Sequence, residues 1–371
     1  MGGDAPGLYV HVPFCVSKCR YCAFASGTDM SGIPAWVAGV LHEARRRAGS
    51  FAPFDTLYLG GGTPGLLPIP ALAMLLEGLR RALPFRDPVE ATIEANPGDV
   101  TRERAAAWLD LGLNRVSLGV QSFDDAVLRF LGRRHDAGQA ARALEAVLAA
   151  GFDNLSIDLI YGVPDPTDAS WESTLDRSLA FDPGHLSCYS LTVEPRTPLA
   201  RDVRRGTVAL PGEDFLADRF LATSARLARA GYVHYEVSNF ARGDSRRSRH
   251  NSRYWRHVPY LGLGPAAHSF DGSRRWWNVR SLAAYLRRDS ASRLPTAVIE
   301  RLSPADLRME SLALGFRTRE GVELGLLGRD PGSLRRLQHL VSDGRLVVEA
   351  GRARPTHRGM LIADALARSF A

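Results

Sequence analysis

The sequence predicts an α/β fold: a βα barrel, complete or partial, followed by a small, mainly helical, winged-helix-like C-terminal domain. Three observations predict it. Up to Pro195, six short runs rich in Val, Ile, Leu and Tyr alternate with segments of helical period. Nearly every run ends on a glycine or a polar residue, at the strand ends where barrel enzymes build their sites. Beyond Pro195 the alternation stops, and the chain closes on a helix–helix–hairpin–helix order. A doubly wound sheet satisfies the first observation equally and is the alternative, because strand order is not written in a sequence.

The six runs are Leu8–Pro13, Thr56–Gly60, Ala91–Ala95, Arg115–Val120, Leu155–Tyr161 and His185–Leu191. They read as parallel strands buried on both faces. Apolar residues at helical spacing occupy Ile33–Ala48, Ile69–Leu83, Thr101–Leu111, Gly138–Ala150 and Ser170–Ala180, with Asp99, Thr101 and Thr167 as expected caps. One more helix is expected over 212–232. After it come a run at Tyr235–Phe240, a polar stretch at Ala241–Trp255 and a glycine-rich apolar stretch at Tyr260–Phe270. Helices at Pro304–Leu314 and Leu334–Ser342, strands at Leu346–Glu349 and Arg352–Pro355, and a helix at Arg358–Phe370 complete the chain. This divides it into a barrel over 1–235, an extension over 236–300 and a C-terminal domain over 301–371. A structural cap is the favoured role of that last module, ahead of DNA binding.

Hydrophobic residues at 45% and charged residues at 23% of the 371 exclude a disordered, collagen-like or disulfide-scaffold chain. The net charge of +7 comes from 47 basic residues against 40 acidic ones, and Lys18 is the only lysine. Such a skew points to codon bias, so no nucleic-acid partner is expected. Its one concentration is Arg242–Arg256, where six arginines face a single acid, Asp244. No run of about 18 apolar residues offers a transmembrane segment. Met1–Gly7 has neither a basic nor an apolar signal region. With three cysteines crowded together, the expected setting is the reduced cytoplasm.

Those cysteines form Cys15-x3-Cys19-x2-Cys22 just after the first strand. Three thiolates on one loop can hold three irons of a cubane cluster and leave the fourth iron open. A zinc site with His11 as fourth ligand is the competing reading, but no second paired-cysteine knuckle exists to support it. Later strand ends carry Gly60-Gly61-Gly62-Thr63-Pro64, Glu94 before Asn96-Pro97, and Gln121 with Arg133 and His135 one helix on. Glycines let backbone approach a ligand. Asp158 interrupts an otherwise apolar strand and must be paired or functional. Strand six carries Ser187 to Thr192, and Cys188 there reads as a small core residue.

An open iron of this kind is the signature of the radical SAM superfamily, which CxxxCxxC with Tyr21 before its last cysteine resembles. Within it, the chain resembles the oxygen-independent coproporphyrinogen III oxidases and their haem-chaperone relatives. The matching stretches are YVHVPFCVSKCRYC, GGGTP, IEANP, NRVSLGVQSF, LGRRH, SIDLIYGVP, YSLTVEP, YEVSNFA, RHNSRYW, YLGLGPAAHSF and LGFRTREGV. The resemblance implies a partial (β/α)6 barrel, a 4Fe-4S cluster on Cys15, Cys19 and Cys22, and S-adenosylmethionine at Tyr9, Tyr21, Gly61, Gly62, Thr63, Glu94, Gln121, Arg133 and Asp158. Two departures separate it from the oxidases: Phe24 stands where they carry a fourth cysteine, and the first strand begins by Leu8 without their longer N-terminal arm. Instead, His250-Asn251-Ser252-Arg253-Tyr254-Trp255 matches the HNxxYW signature of the chaperones. This implies haem as cargo with His250 as ligand, a haem-accepting, respiratory protein as partner, and an electron donor if S-adenosylmethionine is cleaved. The surrounding arginines would face the haem propionates. The alternatives are an oxidase or another radical SAM enzyme acting on a porphyrin or methyl-transfer substrate, and a zinc-stabilised nucleic-acid-binding protein.

Overall fold

A computed structural model describes residues 4–164, 169–290 and 293–370. Six parallel strands form its centre: β1 (Gly7–Val12), β2 (Phe54–Gly61), β3 (Phe85–Ala95), β4 (Arg115–Gln121), β5 (Leu155–Tyr161) and β6 (His185–Ser190). They pair in sequential order, β1 to β6. This order decides for the partial barrel, since a doubly wound sheet reverses direction at a switch point. The strands are Val-, Ile- and Leu-rich because their outer faces pack beneath helices α1 (Ile33–Arg47), α2 (Ile69–Ala82), α3 (Arg102–Asp110), α4 (Asp125–Leu131), α5 (Ala137–Ala149) and α6 (Ala169–Ala180). Leu8, Leu59, Ile93, Val116, Ile157 and Leu186 are all fully buried there.

After helices α7 (Pro198–Arg204) and α8 (Glu213–Arg229), the chain returns to the same sheet. Strands β7 (Val233–Glu236) and β8 (Asn239–Ala241) extend it antiparallel beyond β6. Helix α9 (Arg249–Trp255) follows, and then β9 (Tyr260–Leu263) joins the opposite flank parallel to β1. Strands β10 (His268–Phe270), β11 (Arg274–Asn278) and β12 (Thr296–Arg301), with helix α10 (Leu282–Ser290) between the last two, complete a 12-stranded open sheet. The expected single run at Tyr235–Phe240 is thus a hairpin. The buried Glu236 carboxylate closes its turn by accepting from the Ser238 amide and the Asn239 side chain.

The C-terminal residues hold α11 (Pro304–Gly315), α12 (Pro331–Ser342) and α13 (His357–Met360), then α14 (Ala363–Ser369), around a three-stranded sheet. That sheet comprises β13 (Val322–Glu323), β14 (Leu346–Glu349) and β15 (Arg352–Pro355). Leu312, Phe316, Leu346, Leu366 and Phe370 form a separate apolar cluster. The helix expected over Arg358–Phe370 is two helices, broken by a tight turn in which the Ile362 amide donates to the Gly359 carbonyl. Thr101 caps α3 as expected, whereas Asp99 spends its carboxylate on Arg134. Thr167 lies outside the described residues. Among the described residues, no helix is long and apolar enough to cross a membrane.

Candidate functional site

A cavity of about 610 Å3 runs through the barrel interior, its mouth at the C-terminal strand ends beneath the cysteine loop. Inward-facing side chains alternate along each strand, as pleating requires. From β4 these are Arg115, Ser117, Gly119 and Gln121; from β5, Ser156, Asp158 and Ile160; from β6, His185, Ser187 and Tyr189. Of the residues singled out in the sequence, Cys15, Cys19, Cys22, Tyr21, Gly61, Gly62, Thr63, Glu94, Gln121, Arg133 and Asp158 all line this one cavity. They come from four strands and three loops spread over more than a hundred residues of chain.

The three cysteines are unpaired and half-buried. Thr63 Oγ1 donates to Cys15 Sγ at 3.6 Å, and Arg133 Nη1 donates to Cys19 Sγ at 3.3 Å. Arg133 is itself anchored by the Gly119 carbonyl at 2.8 Å and by Asn96 Oδ1, while Asn96 Nδ2 donates to Thr63 Oγ1 at 2.9 Å. Hydrogen bonds and a guanidinium aimed at sulfur favour thiolates and tune a cluster bound to them. A mononuclear zinc ion fits poorly. His11 Nε2 donates to the Ala25 carbonyl at 2.7 Å, and Nδ1 lies 3.1 Å from the Tyr9 hydroxyl, so neither nitrogen is free. Among the described residues, no three His, Cys, Asp or Glu side chains converge on a single-ion site. A cubane, whose ligands sit on separate irons, suits the donor set.

The glycine run also has a structural use. A Cβ at Gly62 would lie 2.5 Å from the Phe14 carbonyl oxygen. The amides of Gly62 and Thr63 donate to the carbonyls of Val12 and Phe14, each at 2.8 Å. Gly62 therefore lets β2 hold the base of the cysteine loop. Gly61, at φ +109°, turns its amide to Glu94 Oε2 at 3.1 Å, and Tyr58 OH donates to Glu94 Oε1 at 2.8 Å. Desolvation, reinforced by the Asp158 charge, pushes Glu94 up to about 7. Asp158 is also raised by desolvation, and hydroxyls of Ser117 (2.8 Å) and Ser156 (3.2 Å) donate to it. Gln121 takes a left-handed φ of 68° where β4 slips register against β5, the kind of strained backbone that clusters at ligand sites.

Two of the expected residues, Tyr9 and His250, lie outside the cavity lining. Tyr9 does not line the cavity; its ring lies beneath, and its hydroxyl orients His11. His250 is 1% exposed, with Nδ1 2.9 Å from Thr56 Oγ1 and Nε2 2.9 Å from Tyr254 OH. Its ring stacks on Tyr58 at 5.0 Å, and its amide donates to Glu90 at 3.0 Å. Desolvation holds it at about 3, hence neutral. Neither nitrogen is available to an iron in this arrangement. The six surrounding arginines are spent too, Arg242 on Asp182, Arg246 on Asp153, and Arg247 on Asp244 and Glu320. Arg249 and Arg253 share Asp55, and Arg256 meets Asp4. Tyr58, Arg115, Ser117 and His185 line the cavity without having been singled out. Polar residues at every second position of apolar strands were the signal that marks them.

A barrel of parallel strands whose open end gathers three free cysteines and strand-end polar groups defines the radical SAM class. A family model described as Radical SAM superfamily matches residues 9–177. Heme chaperone HemW of Mycobacterium tuberculosis (strain ATCC 25618 / H37Rv) is 38% identical over 100% of this chain and 96% of its own length. That of Escherichia coli (strain K12) is 38% identical over 70% of this chain and 69% of its own. The chain belongs to the radical SAM superfamily and, within it, to the HemW family. The solved coproporphyrinogen III oxidase (HemN) of Escherichia coli shares the fold, with a TM-score of 0.83 over 99% of this chain and 90% of that one at 24% identity.

Proposed function

We propose that this protein is a cytoplasmic haem chaperone that binds a 4Fe-4S cluster on Cys15, Cys19 and Cys22 and S-adenosylmethionine in the cavity beneath. Three free thiols at the mouth of a polar barrel cavity, in a chain like HemW along its whole length, carry the reading. The cluster, when bound, supplies an open iron for the amino and carboxylate groups of S-adenosylmethionine. Around it the chain's own residues have separate tasks. Thr63 and Arg133 hold the thiolates, Glu94 and Asp158 offer carboxylates to ammonium or ribose hydroxyl groups, and the Gly61 turn presents Glu94. Haem is the cargo, delivered to a haem-dependent acceptor. Both nitrogens of His250 are engaged within the chain, so in this reading that residue packs under the barrel. Phe24, 62% exposed on the cavity rim, replaces the fourth cysteine of the oxidase pattern and favours the chaperone over the oxidase.

The test is the visible spectrum of anaerobically purified protein before and after haem addition, with iron and sulfide assays and a transfer assay to an apo-haem protein. Iron and sulfide near four each per chain, saturable haem binding and transfer are expected. Protein that holds zinc and no iron, or that converts coproporphyrinogen III without retaining haem, overturns the proposal.

A further inference from the structure

The cavity continues below the cluster loop to the N-terminal ends of the strands, and its floor holds a buried cation that makes no direct ion pair among the described residues. Arg115 opens β4, is 2% exposed and lines the cavity on the same strand face as Gln121. Six residues separate them, about 20 Å along the strand. The Arg115 guanidinium donates to Asn154 Oδ1 and, at 3.5 Å, to the Arg246 carbonyl. Both acceptors are neutral, and among the described residues no carboxylate forms an ion pair with Arg115. Asp158, in the same cavity, feels the Arg115 charge but makes no ion pair with it, its oxygens accepting instead from the hydroxyls of Ser117 and Ser156. Helix α9 closes the floor with Ser248 and Asn251. The Asn251 side-chain amide faces the cavity with no hydrogen-bond partner among the described residues.

A cation withdrawn from water and left beside neutral acceptors is unfavourable, and an arriving anion relieves it. The planar guanidinium fork matches a carboxylate in two parallel hydrogen bonds. We propose that the barrel floor is a second binding subsite, which takes the carboxylate of a small organic acid on Arg115 with the Asn251 amide as an additional donor. The subsite is built from β4 and α9 and requires neither the cluster nor haem, so it stands or falls apart from the chaperone reading.

Calorimetric titration of the full-length, cluster-loaded protein with succinate tests it, with inorganic phosphate as a second arm. Saturable one-to-one succinate binding is expected, tighter than phosphate. It should be at least tenfold weaker in Arg115→Gln and in Asn251→Asp, which sets a like charge at the floor, and unchanged in the unaltered protein titrated without its cluster. If Arg115→Gln does not fold, Asn251→Asp carries the test alone, because the Asn251 side chain makes no hydrogen bond among the described residues. No saturable binding to the unaltered protein, or equal affinity in the folded floor variants, overturns the subsite. Tighter binding of phosphate overturns the carboxylate assignment, and loss of binding in the cluster-free protein overturns its independence from the cluster.

Discussion

The cysteine loop and helix α9 both carry a recognisable motif, and they differ in what their polar atoms are doing. Around the loop, three thiols stand open to a cavity, and the donors Thr63 and Arg133 point at sulfur. In α9, both His250 nitrogens, its amide and the neighbouring arginines already have partners within the chain. A ligand site needs unspent hydrogen-bonding or coordinating capacity, whereas a spent group stabilises the fold. By this criterion the loop is a site, and α9, apart from the Asn251 side chain that it turns to the cavity, is the plug that closes the barrel from below.

The largest expected effect tests the loop. Cys15→Ala or Cys22→Ala should abolish the visible absorbance of anaerobically reconstituted protein, and retention of the chromophore would remove that cysteine from the ligand set. Next, His250→Ala should lower unfolding stability by about 3 kcal/mol, through lost packing and stranded partners at Thr56 and Tyr254. Its haem titration should match that of the unaltered protein. An undiminished denaturant midpoint together with a tenfold weaker haem affinity would invert the comparison.

Acid sharpens the same point with a smaller effect. His250 and His234 are each held at about 3 by burial, so below pH 6.5 the unfolded chain binds protons that the native protein refuses. Stability is therefore fully present above pH 6.5 and falls as pH drops, by about 2 kcal/mol per histidine between pH 6.5 and 5. Glu236, raised to about 7 by burial, acts in the opposite sense: its contribution is present at low pH and is lost as pH rises toward 7. Denaturant titrations at pH 5 and 6.5 should show a flatter dependence for His250→Gln than for the unaltered protein, and a steeper fall toward acid for Glu236→Gln. An unchanged slope in His250→Gln would mean that the ring is not buried neutral. The smallest effect concerns the arginines around α9. Arg256→Gln removes a half-exposed pair with Asp4 and should cost no more than about 0.5 kcal/mol, with haem affinity unaltered. A marked loss of haem affinity in that variant would restore this segment as a docking surface.

Much of the barrel was legible because its signals are local. A parallel strand buried on both faces is a short apolar run, and five of the six central strands begin within two residues of the expected position. Only β3 starts well before its apolar run, at Phe85, because pairing with β2 begins at Phe54. Strand-end polarity likewise gathered eleven of the expected site residues into one cavity, since every strand end of a barrel opens on the same side. Glu236 turned an expected strand into a hairpin through bonds that no periodicity records.

By itself, the sequence determined the βα alternation, the cysteine spacing and the strand ends that carry chemistry, because each depends on residues near one another in the chain. Only the tertiary structure decided which polar atoms remain free. Thr56 and His250 are 194 residues apart, as are Asp55 and Arg249. Whether an imidazole binds a ligand or fills a core depends on such distant partners, and so does the set of neutral acceptors around Arg115. The charge around HNxxYW is large along the chain and neutralised in space, because folding brings carboxylates of the surrounding strands and loops against it.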